Sequence, residues 1–511
     1  MASFYTILEL LARGCDEAPA ITAPQSIPLT YQGLRALAAN TTAALNRFGI
    51  GRNDRIAIVL PNGPEMAAAF VAIGAAATTA PLNPSYKESE FEFYLTDLKA
   101  KALIVEAGAK TPVREVANRL GVPIIELVPQ RSTGAGSFVL VPLAPMAGPP
   151  ALFGAAEADD VALVLHTSGT TSRPKIVPLA QRNVTASARH IVDSLALKPG
   201  DVSLNIMPLF HIHGLIAAVL SSLAAGATVC CTPGFDAFKF FAWVDEVKPS
   251  WWTAVPTMHQ AILARADRNR EIIGRARLRF LRSSSASLPP QVMAALEETF
   301  HCPVVEAYGM TEAAHQMASN PLPPHARKPG SVGPAAGPEI GIMDNEGRLL
   351  APGERGEVVI RGPNVTPGYE ANPAANAAAF TNGWFRTGDQ GVIDSEGYLR
   401  LTGRLKELIN RGGEKVSPLE VDEVLMNHPA VAQVVTFAMR HPKLGEEVAA
   451  AVVLRDGLMA VERELRDFCA TRLADFKVPR RIVILEEIPK GATGKLQRIG
   501  LAEKLGLAAK A

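Results

Sequence analysis

The sequence predicts an α/β fold: a large N-terminal domain of parallel α/β subdomains plus a β-rich subdomain, then a small mobile α+β C-terminal domain. Three observations predict it. Short β-branched apolar runs alternate with Ala-rich helical stretches from about residue 30 to 130 and again beyond residue 200, the rhythm of parallel βαβ units. Between about 329 and 402 the texture changes to short strands broken by Gly and Pro, and past Gly403 the chain becomes charged and helical again. At 511 residues and 48% hydrophobic, the chain exceeds one core and accommodates two or three domains.

The elements follow in chain order. Arg55-Ile-Ala-Ile-Val-Leu60 and Ala102-Leu-Ile-Val105 read as strands, and Ser132 to Ala151, rich in Gly, Pro and Ala, reads as a loose connector. Val161-Ala-Leu-Val-Leu165 reads as a buried strand opening onto a small polar loop. The rhythm resumes through Val202-Ser-Leu-Asn-Ile206, Ala227-Thr-Val-Cys-Cys231, Trp252-Thr-Ala-Val255 and Leu278-Arg-Phe-Leu281, with Pro303-Val-Val305 after them. Gly356-Glu-Val-Val-Ile-Arg-Gly362 typifies the β-rich part. Pro418 to Met426 is expected as a helix and Gln433 to Phe437 as a strand. The expected division is therefore 1–403, with the β-rich subdomain at about 329–402, and 404–511, with a hinge near Lys406. No internal repeat is present.

Composition narrows the function classes. Lys and Arg total 51 against 50 Asp and Glu, a net charge of +1, which argues against a nucleic-acid surface or a polybasic membrane contact. Small-molecule chemistry is the default. Five scattered cysteines (Cys15, Cys230, Cys231, Cys302, Cys469) without a CxxC pair favour reduced, buried thiols over disulfides or zinc. The N-terminus lacks a signal-peptide plan, no apolar run reaches bilayer length, and the C-terminus lacks a serine-lysine-leucine address. A cytoplasmic protein is expected, with monomer and homodimer both open.

Five blocks carry candidate chemistry. His166-Thr-Ser-Gly-Thr-Thr-Ser-Arg-Pro-Lys175 can turn backbone N–H groups and hydroxyls toward one anion, so it is a phosphate cradle candidate; the bland alternative is a Ser/Thr-rich surface loop. It is not a Walker A loop, because no Gly-Lys-Ser/Thr enters a helix and Pro174 precedes the lysine. Glu306-Ala-Tyr-Gly-Met-Thr-Glu312 offers an aromatic to stack a base, a turn glycine, a hydroxyl for phosphate and a carboxylate for Mg²⁺. Gly383-Trp-Phe-Arg-Thr-Gly-Asp389 ends in a carboxylate able to accept from both ribose hydroxyls, although alone such a residue is more often a turn aspartate. The last two are Gly403-Arg-Leu-Lys-Glu-Leu-Ile-Asn-Arg-Gly-Gly-Glu-Lys415 and Pro489-Lys-Gly-Ala-Thr-Gly-Lys495. A lysine on a glycine turn is usually just solvated.

In this order and spacing the five blocks resemble the adenylate-forming superfamily of acyl-CoA synthetases, luciferases and nonribosomal adenylation domains, over nearly the whole chain. The resemblance implies ATP, Mg²⁺ and coenzyme A, and a two-step reaction: a carboxylate and ATP give acyl-AMP and pyrophosphate, then a thiol takes the acyl group. It implies that Thr167, Ser168, Gly169, Thr170 and Thr171 with Lys175 handle the β- and γ-phosphates. Tyr308 would stack on adenine, with Glu306 at the adenine edge and Ala307, Gly309, Met310, Ser285 and Ala286 around the nucleotide. Thr311 would touch the α-phosphate, Glu312 would hold Mg²⁺, and Asp389 with Arg404 would fix the ribose. Lys495 would bridge carboxylate and α-phosphate oxygens as the principal catalytic residue of the first step. The small domain would then rotate about Lys406 to bring Gly412 and Gly413 toward the thiol channel. Pro489 to Lys495 also matches a pattern at which such enzymes are lysine-acetylated, which would make an acetyltransferase and a deacetylase partners at Lys495. The absence of a carrier segment after residue 511 favours free coenzyme A as acceptor.

Two further features bear on the acid. Pro208-Leu-Phe-His-Ile-His-Gly214 supplies His211 as a catalytic and substrate-pocket candidate, with His213 read as a structural residue. His315 lies four positions beyond Thr311, and a helical turn over 311–315 would place the two on one face beside the reacting carboxylate. The His166–Lys175 block, Arg282-Ser-Ser-Ser-Ala-Ser-Leu288, Thr311-Glu-Ala-Ala-His315 and Ser319-Asn-Pro-Leu-Pro323 look like the oxalate–CoA ligases of plants and fungi. Oxalate brings a second carboxylate that must be paired or heavily hydrogen-bonded, and Ser283, Ser285, His211 and His315 are the polar groups at hand. Alternatives are a ligase for another small or medium-chain acid, or a nucleotide-binding protein without catalysis. The chain departs from the superfamily at Ser284-Ser-Ala-Ser-Leu288 and at Arg173; Ser172-Arg173 fits either a phosphate contact or an exposed position.

Overall fold

A computed structural model describes residues 4–146, 148–167, 174–490 and 496–507. Four sheets organise them. The first has seven strands in the order Phe138–Pro142, Ile124–Pro129, Ala102–Glu106, Arg55–Val59, Thr78–Pro81, Val161–Thr167, Lys175–Ala180. Its interior is parallel and both edges are antiparallel. The second has eight strands, His315–Ser319, Val304–Met310, Phe280–Ser283, Trp251–Ala254, Val202–Asn205, Thr228–Cys231, Pro19–Thr22 and Leu29–Thr30, again parallel inside and antiparallel at its ends.

These parallel strands read as continuous apolar runs because both of their faces are covered. Arg55–Val59 and Ala102–Glu106 are buried along nearly their whole length. Pro64–Gly74 explains the Ala-rich texture: it begins with Pro at its first turn, and small side chains let it sit among the core residues, buried from Met66 to Gly74. Tyr31–Arg47 is amphipathic by contrast, opening on a Thr30 hydroxyl that accepts from the Gly33 N–H and burying Leu34, Leu37, Ala38 and Leu45.

The predicted loose connector is a correction. Its stretch holds Phe138–Pro142, which pairs antiparallel with Ile124–Pro129, residue Leu127 opposite Leu140. Val139 and Val141 face outward on this edge strand, so the alternating pattern was present but masked by neighbouring Gly and Pro.

The third sheet is antiparallel throughout and lies in the Gly- and Pro-rich region: Glu339–Met343, Arg355–Arg361, Trp384–Ile393 and Phe380–Thr381, with Leu399–Arg404 paired to Trp384–Ile393. The fourth, Glu414–Val416, Ile409–Arg411, Gly445–Leu454 and Val431–His441 with Arg481–Ile484, is a mixed sheet carrying the helices Pro418–Met426 and Glu462–Ala470. One apolar cluster runs from Leu204, Trp252 and Leu296 into Val421, Leu425 and Val452, so the C-terminal sheet packs on the second sheet's helices. Arg400 of the third sheet pairs with Glu423 on Pro418–Met426 at 3.1 Å. No described helix is long and apolar enough to cross a membrane.

Candidate active site

The site gathers where strands of the first three sheets end. Val161–Thr167 and Lys175–Ala180 are antiparallel with Thr167 opposite Lys175, so Lys175 opens a strand and not the helix that a Walker A lysine enters. Ser168, Gly169, Thr170, Thr171, Ser172 and Arg173 lie outside the described residues. At the base of the loop His166 Nε2 stands 3.0 Å from Asp97 Oδ2, with Tyr94 edge-on at 4.7 Å.

Lys175 points its ammonium over the Tyr369 ring, 4.2 Å from the centroid, and the Tyr369 hydroxyl donates to Glu312 Oε1 at 2.8 Å. Sequence reasoning did not find Tyr369, which sits in an irregular stretch between the strand Arg355–Arg361 and the helix Pro373–Ala379 and carries no motif. Burial draws the Lys175 pKa down, and the charge of Lys406 draws it down further. Burial pushes the Glu312 carboxyl up, while the Tyr369 hydrogen bond and the cations Arg404 and Lys175 pull against that shift. One lysine, one buried carboxylate and the expected hinge lysine therefore share a single electrostatic neighbourhood.

Val304–Met310 presents the second block. Glu306 is buried; its Oε1 accepts from the Leu288 N–H at 2.9 Å, and its Oε2 has no partner among the described residues. Burial lifts its pKa to about 8. Tyr308 donates its hydroxyl to Asp389 Oδ2 at 2.5 Å, and Arg404 Nε donates to Asp389 Oδ1 at 2.9 Å, with Asp389 and Arg404 opposite each other on adjacent strands. Ala307 carbonyl accepts from the Ser284 hydroxyl at 2.9 Å, while Ala286 is exposed at the loop surface. The chain can turn back after Met310 because residue 309 is glycine: a Cβ there would stand 1.9 Å from the His315 carbonyl oxygen.

The expected helical turn over 311–315 is not formed. Thr311–Ala313 is a single 3₁₀ turn, Ala314 adopts a left-handed conformation, and His315 opens the strand His315–Ser319 in register with Met310. Thr311 and His315 therefore do not share a helix face. The sequence Ala-Ala after Glu312 suited a helix, and the strand pairing with Val304–Met310 overrode it.

His315 meets His213 instead, ring centroids 5.0 Å apart. His213 starts a π-helical segment, His213–Leu220, a rare backbone geometry that often accompanies functional sites. His213 is fully buried, with Nδ1 3.0 Å from Ser285 Oγ and Nε2 2.6 Å from Thr253 Oγ1. Expected to be structural, it is satisfied as a core histidine, and it stands against both Ser285 and His315. His211 Nδ1 accepts the His213 backbone N–H at 3.3 Å. Ser283 Oγ is buried without a partner among the described residues, on the strand position in register with Glu306. Arg282, buried beneath this group, was quoted in a motif but given no role by sequence reasoning.

Gly412 and Gly413 form a left-handed turn between Ile409–Arg411 and Glu414–Val416, with the Gly412 N–H donating to the Leu444 carbonyl, so their contacts are with the C-terminal sheet. Lys495 lies outside the described residues. Just beyond it, Arg498 is buried between Asp422 at 2.6 Å and Glu407 at 3.4 Å, which ties that terminal segment to the residue after Lys406.

Residues 9–370 match the AMP-binding enzyme family, and residues 420–495 match the AMP-binding enzyme C-terminal domain. The chain belongs to the AMP-binding enzyme family. It is 45% identical over 503 residues to an oxalate–CoA ligase of Arabidopsis thaliana, covering 96% of each chain. It is 42% identical over 481 residues to an oxalate–CoA ligase of Saccharomyces cerevisiae, covering 88% of this chain and 87% of that one. ATP-bound MatB from Rhodopseudomonas palustris is similar in fold, with a TM-score of 0.86 at 28% identity over 98% of this chain and 99% of that one. Within this AMP-binding enzyme the parallel α/β sheets, the antiparallel sheet and the C-terminal unit are the expected architecture.

Proposed function

We propose that this AMP-binding enzyme is an AMP-forming acid–CoA ligase whose acid is oxalate. The carboxylate oxygen attacks the ATP α-phosphorus, the bond to the β-phosphate breaks, and pyrophosphate leaves. The thiol sulfur of coenzyme A then attacks the acyl carbon, the bond to AMP breaks, and oxalyl-CoA forms with loss of the thiol proton. The observation that carries the choice of acid is the polar acyl end of the site, where His213, Ser285 and His315 gather and where a long-chain acid would need apolar lining.

The residues divide the work by charge. Lys175 and Arg404 offset the repulsion between two anions, and Asp389, fixed by Tyr308 and Arg404, presents acceptors for the ribose hydroxyls. Glu312 suits a Mg²⁺ ligand: it is a buried carboxylate, and among the described residues no cluster of three or more metal-binding side chains exists, so phosphate oxygens would complete the shell. Bound there, Mg²⁺ supplies further positive charge to the phosphates. Tyr369 orients the Glu312 carboxylate for that task.

In this reading Lys495 bridges the two reacting oxygens of the first step, and 404–511 acts as a unit that swings about Lys406 to present Gly412 and Gly413 in the second. Acetylation of Lys495 would remove its charge and stop adenylation. The protein is read as cytoplasmic, supplied by free oxalate, ATP and coenzyme A. Pyrophosphate release across a panel of oxalate, malonate, acetate, sulfoacetate and octanoate tests the assignment. Turnover greatest with oxalate, followed by thioester formation with coenzyme A, is expected; strong turnover with another acid and none with oxalate would overturn it.

A further inference from the structure

Arg282 lies on Phe280–Ser283, a central strand of the eight-stranded sheet, and is fully buried. No carboxylate pairs with it among the described residues. Its partners are neutral: Nη1 is 3.3 Å from Thr253 Oγ1 and 3.5 Å from His213 Nε2, and Nη2 is 3.2 Å from Gln316 Oε1. Burial lowers its pKa only to about 9, which leaves it charged at neutral pH. A buried cation without a counter-charge is costly unless it serves something nearby.

Donor counting shows what it serves. A guanidinium only donates: Thr253 Oγ1 accepts from Nη1, and a proton on His213 Nε2 would face the cation 3.5 Å away, so the favoured tautomer leaves the single Nε2 lone pair open. The Thr253 hydroxyl, 2.6 Å away, donates its own proton to that lone pair. With Nε2 accepting, the ring proton sits on Nδ1 and is donated to Ser285 Oγ at 3.0 Å. Ser285 has then accepted and keeps its proton to donate elsewhere. The neighbouring imidazole His259 bonds the Arg282 carbonyl through Nε2 and is kept neutral by burial, its pKa pulled to about 4. His315 is the other titratable ring against His213. Ser285 itself is held at φ +74°, a strained backbone for a serine and one that the surrounding structure must enforce.

We propose that Arg282 is a positioning and specificity-determining residue. It orders the chain Arg282–Thr253–His213–Ser285 so that Ser285 is an obligate hydrogen-bond donor toward the far carboxylate of a small diacid. The unpaired positive charge behind that chain makes the same pocket favour a second negative charge. This rests on the acid–CoA ligase reading and on a dicarboxylate substrate.

Two measurements on the full-length protein test it. Nitrogen-15 NMR of labelled histidine, with the His213 signal assigned by its loss in His213→Gln, reads the tautomer without any substrate. Nδ1-protonated neutral His213 is expected in the wild type, changing in Arg282→Met; a wild-type ring protonated on Nε2, or on both nitrogens at neutral pH, overturns the proposal. Adenylation kcat/KM with oxalate and with the monocarboxylate glyoxylate reads specificity. Arg282→Met is expected to lower the oxalate value about a hundredfold and the glyoxylate value less than about threefold, with Arg282→Lys recovering about tenfold of the loss. Thr253→Val, which keeps the charge and breaks only the relay, is expected to cost oxalate about tenfold. Equal losses for both acids, with no recovery in Arg282→Lys, would show a merely structural role. If the wild type does not activate oxalate at all, the substrate reading fails, while the tautomer result still decides the relay.

Discussion

Tyr308 and Asp389 are 81 residues apart in sequence, yet the tyrosine hydroxyl donates directly to one oxygen of the aspartate while Arg404 holds the other. The residue expected to stack on adenine and the residue expected to receive the ribose are thus one hydrogen-bonded unit that bridges the second and third sheets. Tyr308→Phe keeps the ring and removes this bond. It is expected to raise the KM for ATP about three- to tenfold with kcat changed less than about twofold. Asp389→Ala also strips Arg404 of its counter-charge and is expected to raise that KM more than about a hundredfold. Steady-state pyrophosphate release at varied ATP checks both.

Glu312 and Tyr369 make a second pair. Because burial raises the Glu312 pKa, its carboxylate is lost to protonation at higher pH than that of an ordinary glutamate. Tyr369→Phe removes a hydrogen bond that favours the charged form. The acid limb of the kcat/KM profile for ATP is therefore expected to move to higher pH in Tyr369→Phe, and the Mg²⁺ concentration for half-maximal activity to rise. An unchanged limb and unchanged Mg²⁺ dependence would count against Glu312 as the metal ligand.

Glu306 gives a stability prediction. Its folded-state pKa of about 8 lies above the ordinary value of 4.5, so between those values the folded protein binds more protons than the unfolded chain. Stability from this group is fully present below the lower value and falls as pH rises toward the upper one, by at most about 1.4 kcal/mol per pH unit. Glu306→Gln is expected to flatten this part of the dependence. Denaturant midpoints from pH 5 to pH 8 (about the span between the two values), compared between wild type and variant, measure it.

Lys495→Ala is expected to lower acyl-AMP formation by at least about a thousandfold while changing thioester formation from supplied acyl-AMP less than about tenfold. Single-turnover assays of the two half-reactions separate them. Equal losses in both would remove the division of labour proposed for the C-terminal unit.

Much of this architecture was legible in the sequence because the signals are local. Parallel strands covered on both faces are continuous β-branched runs, so Arg55–Val59, Ala102–Glu106 and Val161–Thr167 announced themselves, and Pro418–Met426 showed both its starting proline and its apolar period. Phe138–Pro142 was hidden because an edge strand needs only half an apolar face and here stands among turn residues. The turn at Thr311–Ala313 was misread for a complementary reason: local helix preference is weak beside the ladder that His315–Ser319 forms with Val304–Met310.

The sequence by itself determined the family, because the blocks around His166–Lys175, Glu306–Glu312 and Gly383–Asp389 are short motifs whose order and spacing can be read along the chain. Only the tertiary structure brought together the residues proposed for the acid end of the site. Arg282, Thr253, His213 and Ser285 come from two strands, the turn that follows one of them and a π-helical start, and none is informative alone. Their meaning depends on which atom donates to which. Burial makes that order matter, because each buried donor left without an acceptor is costly.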